Sequence, residues 1–188
     1  MRSWLLLLSF AGIFASNTAS AQLTSGFTVD DTAGCTPMLV NFTNTSIGAT
    51  SYNWDLGNGT LSTLTNVTGS YLTAGTYTVT LVAHSGSSSS TYSMVIHVYS
   101  QPTVSFFASD TSICPYSPVT FTSTSTAGSW GSLTYNWNFG DGYSSPSTSP
   151  THNYVTPGFY NVTLFATNVK GCINSLTRSA YIHVTNPA

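Results

Sequence analysis

Charge is what this chain has least of. Of its 188 residues only 4% are charged: three basic residues (Arg2, Lys170, Arg178), five aspartates and no glutamate. Globular domains carry about a quarter. Without clustered Lys and Arg there is no electrostatic footprint for nucleic acid, and no polybasic patch for anionic lipid. Acids paired as in glycosidases are missing, as are a His-x-x-x-His helix and a Gly-x-Ser-x-Gly turn. Nothing here points to an enzyme, and no cofactor is implied. Good helix formers are scarce beyond the N-terminus. Cysteine is scarce too, with only Cys35, Cys114 and Cys172.

What is present supports a packed core: 41% of residues are apolar and 13% aromatic. The polar remainder is largely Ser, Thr, Asn and Gly. Thr, Val, Tyr and Phe favour strands, whereas Ser, Asn and Gly favour turns. The expected class is all-β.

The first residues read as an address. Arg2 precedes an apolar run from Trp4 to Ala15, and Ala19-Ser20-Ala21 follows. A basic start, a short hydrophobic segment and an A-x-A site make a secretory signal peptide, cleaved after Ala21. The run of about 12 residues falls short of the roughly 20 that span a bilayer. The mature chain is therefore expected to be secreted or at the cell surface, with no membrane span.

An internal repeat sets the domains. Asn53-Trp54-Asp55-Leu56-Gly57-Asn58-Gly59 recurs as Asn136-Trp137-Asn138-Phe139-Gly140-Asp141-Gly142. At the same spacing Tyr71 maps to Tyr154, Tyr77 to Tyr160, Val79 to Val162 and Leu81 to Leu164. Upstream, Cys35 maps to Cys114 with four residues gained around Gly128-Ser129-Trp130-Gly131. Downstream, Ile96-His97-Val98 maps to Ile182-His183-Val184 with three more gained. Each copy is too long for a solenoid unit and reads as a whole domain. The expected division is 1–21, 22–100 and 101–188, with a linker at Ser100-Gln101-Pro102.

Each copy offers about seven short strands in under about 100 residues, the size of an immunoglobulin-like sandwich. Tyr77-Thr78-Val79-Thr80-Leu81 and Tyr160-Asn161-Val162-Thr163-Leu164 alternate with period two, facing Val79, Leu81, Val162 and Leu164 to the core. Trp54 and Trp137 fit the buried central-strand tryptophan, and Tyr77 and Tyr160 fit tyrosine corners. Gly57, Gly59, Gly140 and Gly142 supply the turn out of the Trp strand.

These residues resemble a known family. Trp137-Asn138-Phe139-Gly140-Asp141-Gly142, His152-Asn153-Tyr154 and Gly158-Phe159-Tyr160-Asn161-Val162-Thr163-Leu164 are similar to the PKD-domain signature W-D-F-G-D-G, H-x-Y and G-x-Y-x-V-x-L. The first copy departs from it at Leu56, Asn58 and Gly69. The resemblance implies an immunoglobulin-like fold and extracellular spacer or interaction modules. It covers both copies, from Thr24 to Thr185.

In an oxidising compartment cysteines can pair. Cys114 precedes a strand of the second copy, and Lys170-Gly171-Cys172 lies in the loop between its last two strands. The same arrangement resembles that of bacterial PKD repeats. It implies a Cys114–Cys172 bridge, worth about 4 kcal/mol by loop entropy. The counterpart loop of the first copy, Ser85-Gly86-Ser87-Ser88-Ser89-Ser90, is three residues shorter and lacks the Gly-Cys, so Cys35 reads as a buried free thiol, with an intermolecular bridge as the sharper alternative.

Asp55 and Asp141 invite a calcium reading, but the acidic ligand pattern is incomplete, and Asx-type turns account for them better. Asp30-Asp31 offers a weak surface site, against the plainer reading of a solvated loop. His97 and His183 fall on an outer strand face, and His152 on a structural hydrogen bond. Trp130 and Tyr143 are the candidate ligand contacts, since exposed aromatics stack on sugars or anchor proteins. The bland reading of Trp130 is a satellite cluster over the sandwich end. The expected function is a non-enzymatic spacer or adhesion module whose partner is an extracellular protein or polysaccharide. The alternative is a carbohydrate-binding accessory region of a secreted hydrolase.

Overall fold

A computed structural model describes residues 22–128 and 130–186, all of them in strands, turns and loops. The signal-peptide expectation over 1–21 lies outside the described residues.

The first sandwich holds β1 (Phe27–Val29), β2 (Ala33–Cys35), β3 (Met38–Asn44), β4 (Ser51–Asp55), β5 (Leu61–Ser62), β6 (Val67–Tyr71), β7 (Gly75–Ser85) and β8 (Ser88–Tyr99). A three-stranded sheet in the order β1-β3-β6 faces a five-stranded sheet in the order β2-β8-β7-β4-β5. The second sandwich repeats this with β9 (Phe106–Ala108), β10 (Ser112–Ile113), β11 (Pro118–Ser123), β12 (Leu133–Asn138), β13 (Ser144–Ser145), β14 (Thr151–Asn153), β15 (Gly158–Asn168) and β16 (Ile173–Val184). Its sheets run β14-β11-β9 and β10-β16-β15-β12-β13. The all-β tandem sandwich is as expected.

Each sandwich has one strand more than the sequence pattern shows. β2 and β10 pair in parallel with β8 and β16. They span only three and two residues, too short for a period-two pattern. Their direction carries Cys35 and Cys114 to the C-terminal end of the last strand.

Apolar alternation builds the two cores. Val79, Leu81, Val162 and Leu164 are fully buried, as the pattern predicts. Trp54 and Trp137 pack at the centres and donate Nε1–H to the carbonyls of Leu64 and Ser147, each at 2.9 Å. A buried indole without such a partner would lose part of its gain from burial. Phe106 and Phe121 pack on Trp137 as Phe27 and Phe42 pack on Trp54.

The tyrosine corners are present. Tyr77 Oη donates to Thr73 O at 2.7 Å and Tyr160 Oη to Thr156 O at 2.6 Å. After each Trp strand, Gly57 and Gly140 have φ of +74° and +85°. A Cβ there would collide with the carbonyl of Thr78 or Asn161, so glycine is required twice over.

The three-residue difference between the last hairpins is not all at the tip. Tyr160 pairs with Ile182, but Val162 pairs with Arg178, so a bulge in β16 takes up part of it. Ala180 sits there at φ 49°, its N–H held by Asn161 Oδ1 at 2.7 Å.

Candidate functional site: the junction of the two sandwiches

Several side chains found only in the second copy, Trp130, Lys170 and Cys172 among them, converge on the junction. Cys35, ending β2, is bonded to Cys172, in the loop between β15 and β16, with Cα atoms 5.6 Å apart. This corrects the expected Cys114–Cys172 bridge and the reading of Cys35 as a free thiol. Cys114 is free and exposed.

The reason is strand direction. β10 runs parallel to β16 and ends beside Val184, which pairs with Gly158 at the start of β15. Cys172 lies past the other end of the 11-residue β15. The two ends are separated by roughly 30 Å at about 3.3 Å per residue, whereas a disulfide needs Cα atoms within about 7 Å. Cys35, carried to the C-terminal end of β8 at Tyr99, instead meets the hairpin of the next sandwich.

Asn168 anchors the hairpin. It is 4% exposed, and all its polar atoms are used. Its Oδ1 accepts from the N–H of Lys170 at 3.0 Å and of Cys172 at 3.1 Å, which fixes the loop shape. Its Nδ2 donates to Ser100 O at 3.0 Å, which ties the loop to the linker. Asn174 Nδ2 makes a second tie, to Pro102 O at 2.9 Å.

Trp130 closes the other side. Its ring meets Tyr99 edge-on, with centroids 4.8 Å apart. Lys170 Nζ lies 4.9 Å from the Tyr99 centroid and 5.3 Å from that of Trp130, a cation–π arrangement. The insertion around Trp130 therefore forms part of the junction. Trp130 is half-buried, in a cluster made by both sandwiches.

The Asp and His side chains do local structural work. Asp55 Oδ1 accepts from Gly57 N at 2.8 Å, and Asp141 Oδ1 from Tyr143 N at 3.2 Å, as Asx turns do. Asp141 Oδ2 also lies 2.6 Å from His152 Nε2, a pairing that spacing alone does not reveal. His152 stacks on Phe139 with centroids 4.2 Å apart. Asp30, at the surface, accepts from Asn41 N and Nδ2, and these bonds hold its carboxyl below its usual range. Tyr71 and Tyr154 donate Oη–H to Leu56 O and Phe139 O. Burial pushes the Tyr71 phenol up to about 12 and raises that of Tyr154 further.

Among the described residues no group of three or more His, Cys, Asp or Glu is placed to hold a metal ion. Among the described residues no helix is long and apolar enough to cross a membrane. Tyr143 is 66% exposed, with its ring 5.7 Å from that of His152. A shallow groove on the first sandwich is lined by Asn53, Asp55, Leu61, Thr63, Thr80 and Val82. Its one carboxylate is the one committed to the Gly57 turn.

Two profiles, each described as PKD domain, match residues 20–102 and 99–184. The chain belongs to the PKD-domain family and carries two tandem repeats. PKD domains are non-catalytic modules, typical of extracellular or cell-surface proteins.

No curated protein matches the chain. Solved structures do. One from a study of carbohydrate-binding modules of the β-sandwich superfamily is 32% identical over 46% of this chain, with a TM-score of 0.43. The match spans 35% of that protein's length. The PKD1 domain of Vibrio anguillarum Epp is 27% identical, covering 45% of this chain and 96% of that one, with a TM-score of 0.40. The N-terminal eight Ig domains of Down Syndrome Cell Adhesion Molecule match 89% of this chain and 25% of that one, at 12% identity and a TM-score of 0.50. That last likeness concerns the fold alone.

Proposed function

We propose that this chain is a secreted or cell-surface spacer and adhesion module without catalytic activity, in which two PKD domains are held at a fixed angle. The domains are residues 22–100 and 101–188, following a signal peptide over 1–21. The observation that carries this reading is the Cys35–Cys172 bond between the sandwiches, reinforced by Asn168 on the linker carbonyl. Linked domains move relative to one another unless their interface is large or tied. A covalent tie beside the linker leaves little angular freedom. Such a pair transmits position and force, and a partner, protein or polysaccharide, is met on its outer surfaces. The low charge suits this role, because the module has no field to attract polyions.

Small-angle scattering tests it. The intact protein should fit one elongated arrangement. The Cys35→Ser/Cys172→Ser variant should require a spread of interdomain angles with both sandwiches still folded. Identical scattering from both would show that the bond does not set the interdomain angle.

The second reading, an accessory carbohydrate-binding region, rests on Tyr143, whose exposed ring stands beside His152. Retention on a polysaccharide panel that disappears in Tyr143→Ala would favour it. No retention on any sugar leaves the spacer reading.

A further inference from the structure

Cys114 stands in the second sandwich where Cys35 stands in the first. Cys35 ends, and Cys114 directly follows, the short strand that pairs in parallel with the last one. The surrounding backbone bonds are repeated: His97 N donates to Thr32 O at 2.9 Å, and His183 N to Thr111 O at 2.8 Å. Yet Cys35 is bonded to the hairpin of the sandwich that follows it, while Cys114 is exposed and free. The bond has a polarity. The hairpin turn of the first sandwich, Gly86-Ser87, has no cysteine, so the short-strand cysteine is the acceptor and the next hairpin the donor.

We propose that Cys114 is the attachment point for a further sandwich of the same family, one whose last hairpin carries a Gly-Cys like Gly171-Cys172. The site would repeat the junction already built in this protein, so the supporting observation is the bonded state of its repeat-mate, Cys35. The aromatic that the first junction draws from Tyr99 is Thr185 at this end. Tyr116 offers a ring instead, two residues past Cys114, 68% exposed and held at φ 66°. Bond formation is an oxidation. The two thiols give up two protons and two electrons to a small-molecule disulfide such as oxidised glutathione, which leaves as two thiols.

The test extends the whole chain by a second copy of residues 103–188 placed after Ala188, refolded in a glutathione redox buffer. Disulfide mapping should find Cys35 bonded to the original Cys172, Cys114 bonded to the Cys172 of the added copy, and one free thiol, in that copy. A parallel version with a flexible Gly-Ser spacer after Ala188 prevents a poor splice from deciding the outcome. Folding of the added sandwich is read by trypsin resistance at its copies of Lys170 and Arg178. With that sandwich folded, an alkylated Cys114, a bond inside the added copy, or a Cys114–Cys114 dimer would each overturn the proposal. Cys114→Ser in the extended chain should leave two free thiols, one of them the added Cys172.

Discussion

His152 Nε2 lies 2.6 Å from Asp141 Oδ2, and the same two positions in the first sandwich hold Gly69 and Asn58. The exchange is coordinated. In the second sandwich His152 also stacks on Phe139. In the first, Leu56 replaces that ring, and Asn58 Nδ2 donates to Ser70 O at 2.9 Å instead. A Cβ on Gly69 would stand 3.1 Å from Tyr71 and 3.2 Å from Leu56 and Phe42, tighter than ordinary van der Waals contact. Each copy thus closes its turn with a matched set.

Asp141→Asn should therefore destabilise the second sandwich by about 1.5–3 kcal/mol, the usual worth of a hydrogen bond to a charged group. The triple change Phe139→Leu/Asp141→Asn/His152→Gly, which installs the first copy's set, should cost less than its single steps added together. Chemical denaturation of the set and its single variants measures the coupling. Strict additivity would mean that the three side chains act independently.

The fold was legible in the sequence because it rests on features the copies share. Trp54 and Trp137, the two corner tyrosines and the period-two strands all report on local geometry and burial. The junction was not, because it rests on features they do not share. Trp130, the extra residues near Lys170 and the Gly171-Cys172 pair appear in one copy only. Compared domain against domain, they look like loop variation. Their meaning lies in the parallel course of the two-residue β10, which sends Cys114 away from Cys172, and so short a strand has no periodicity to read. Differences concentrated at one end of one repeat are the signal that would have pointed to an interface.

Titration of denatured but unreduced protein should find one free thiol, and proteolytic mapping should place it at Cys114. Cys172→Ser should yield two free thiols, Cys35 and Cys114. The bond spans 137 residues of sequence. On loop entropy alone a link of that span is worth about 5 kcal/mol, provided both ends belong to one cooperative unit. Here they belong to two sandwiches with separate cores. Reduction should therefore shift melting less than that figure implies, while freeing the interdomain angle.

Asn168→Ala removes three hydrogen bonds at once and leaves Ser100 O, Lys170 N and Cys172 N without their partner. Orphaned buried polar groups cost about 1–3 kcal/mol each where water cannot reach them. The loss should fall on the hairpin and linker. Hydrogen exchange should accelerate at Lys170 and Cys172 and stay unchanged at Val162 and Leu164. Uniform acceleration across the second sandwich would instead make Asn168 part of that core.

The buried phenols set the alkaline limit. The ordinary tyrosine value is 10.0, and burial carries Tyr71 up to about 12 and Tyr154 higher in the same sense. Both therefore stay protonated in the folded protein at pH values where the unfolded chain has begun to release their protons. The contribution of each is full below about pH 10 and is lost as pH rises toward the folded value. Melting temperature should hold to about pH 10 and fall steeply between pH 10 and 12. Tyr71→Phe should lower stability at pH 7 by about 1 kcal/mol, through its lost bond to Leu56 O. It should also flatten the first sandwich's decline above pH 10, because the variant has no proton to lose there. An alkaline decline as steep in Tyr71→Phe/Tyr154→Phe as in the parent would assign the transition to other groups.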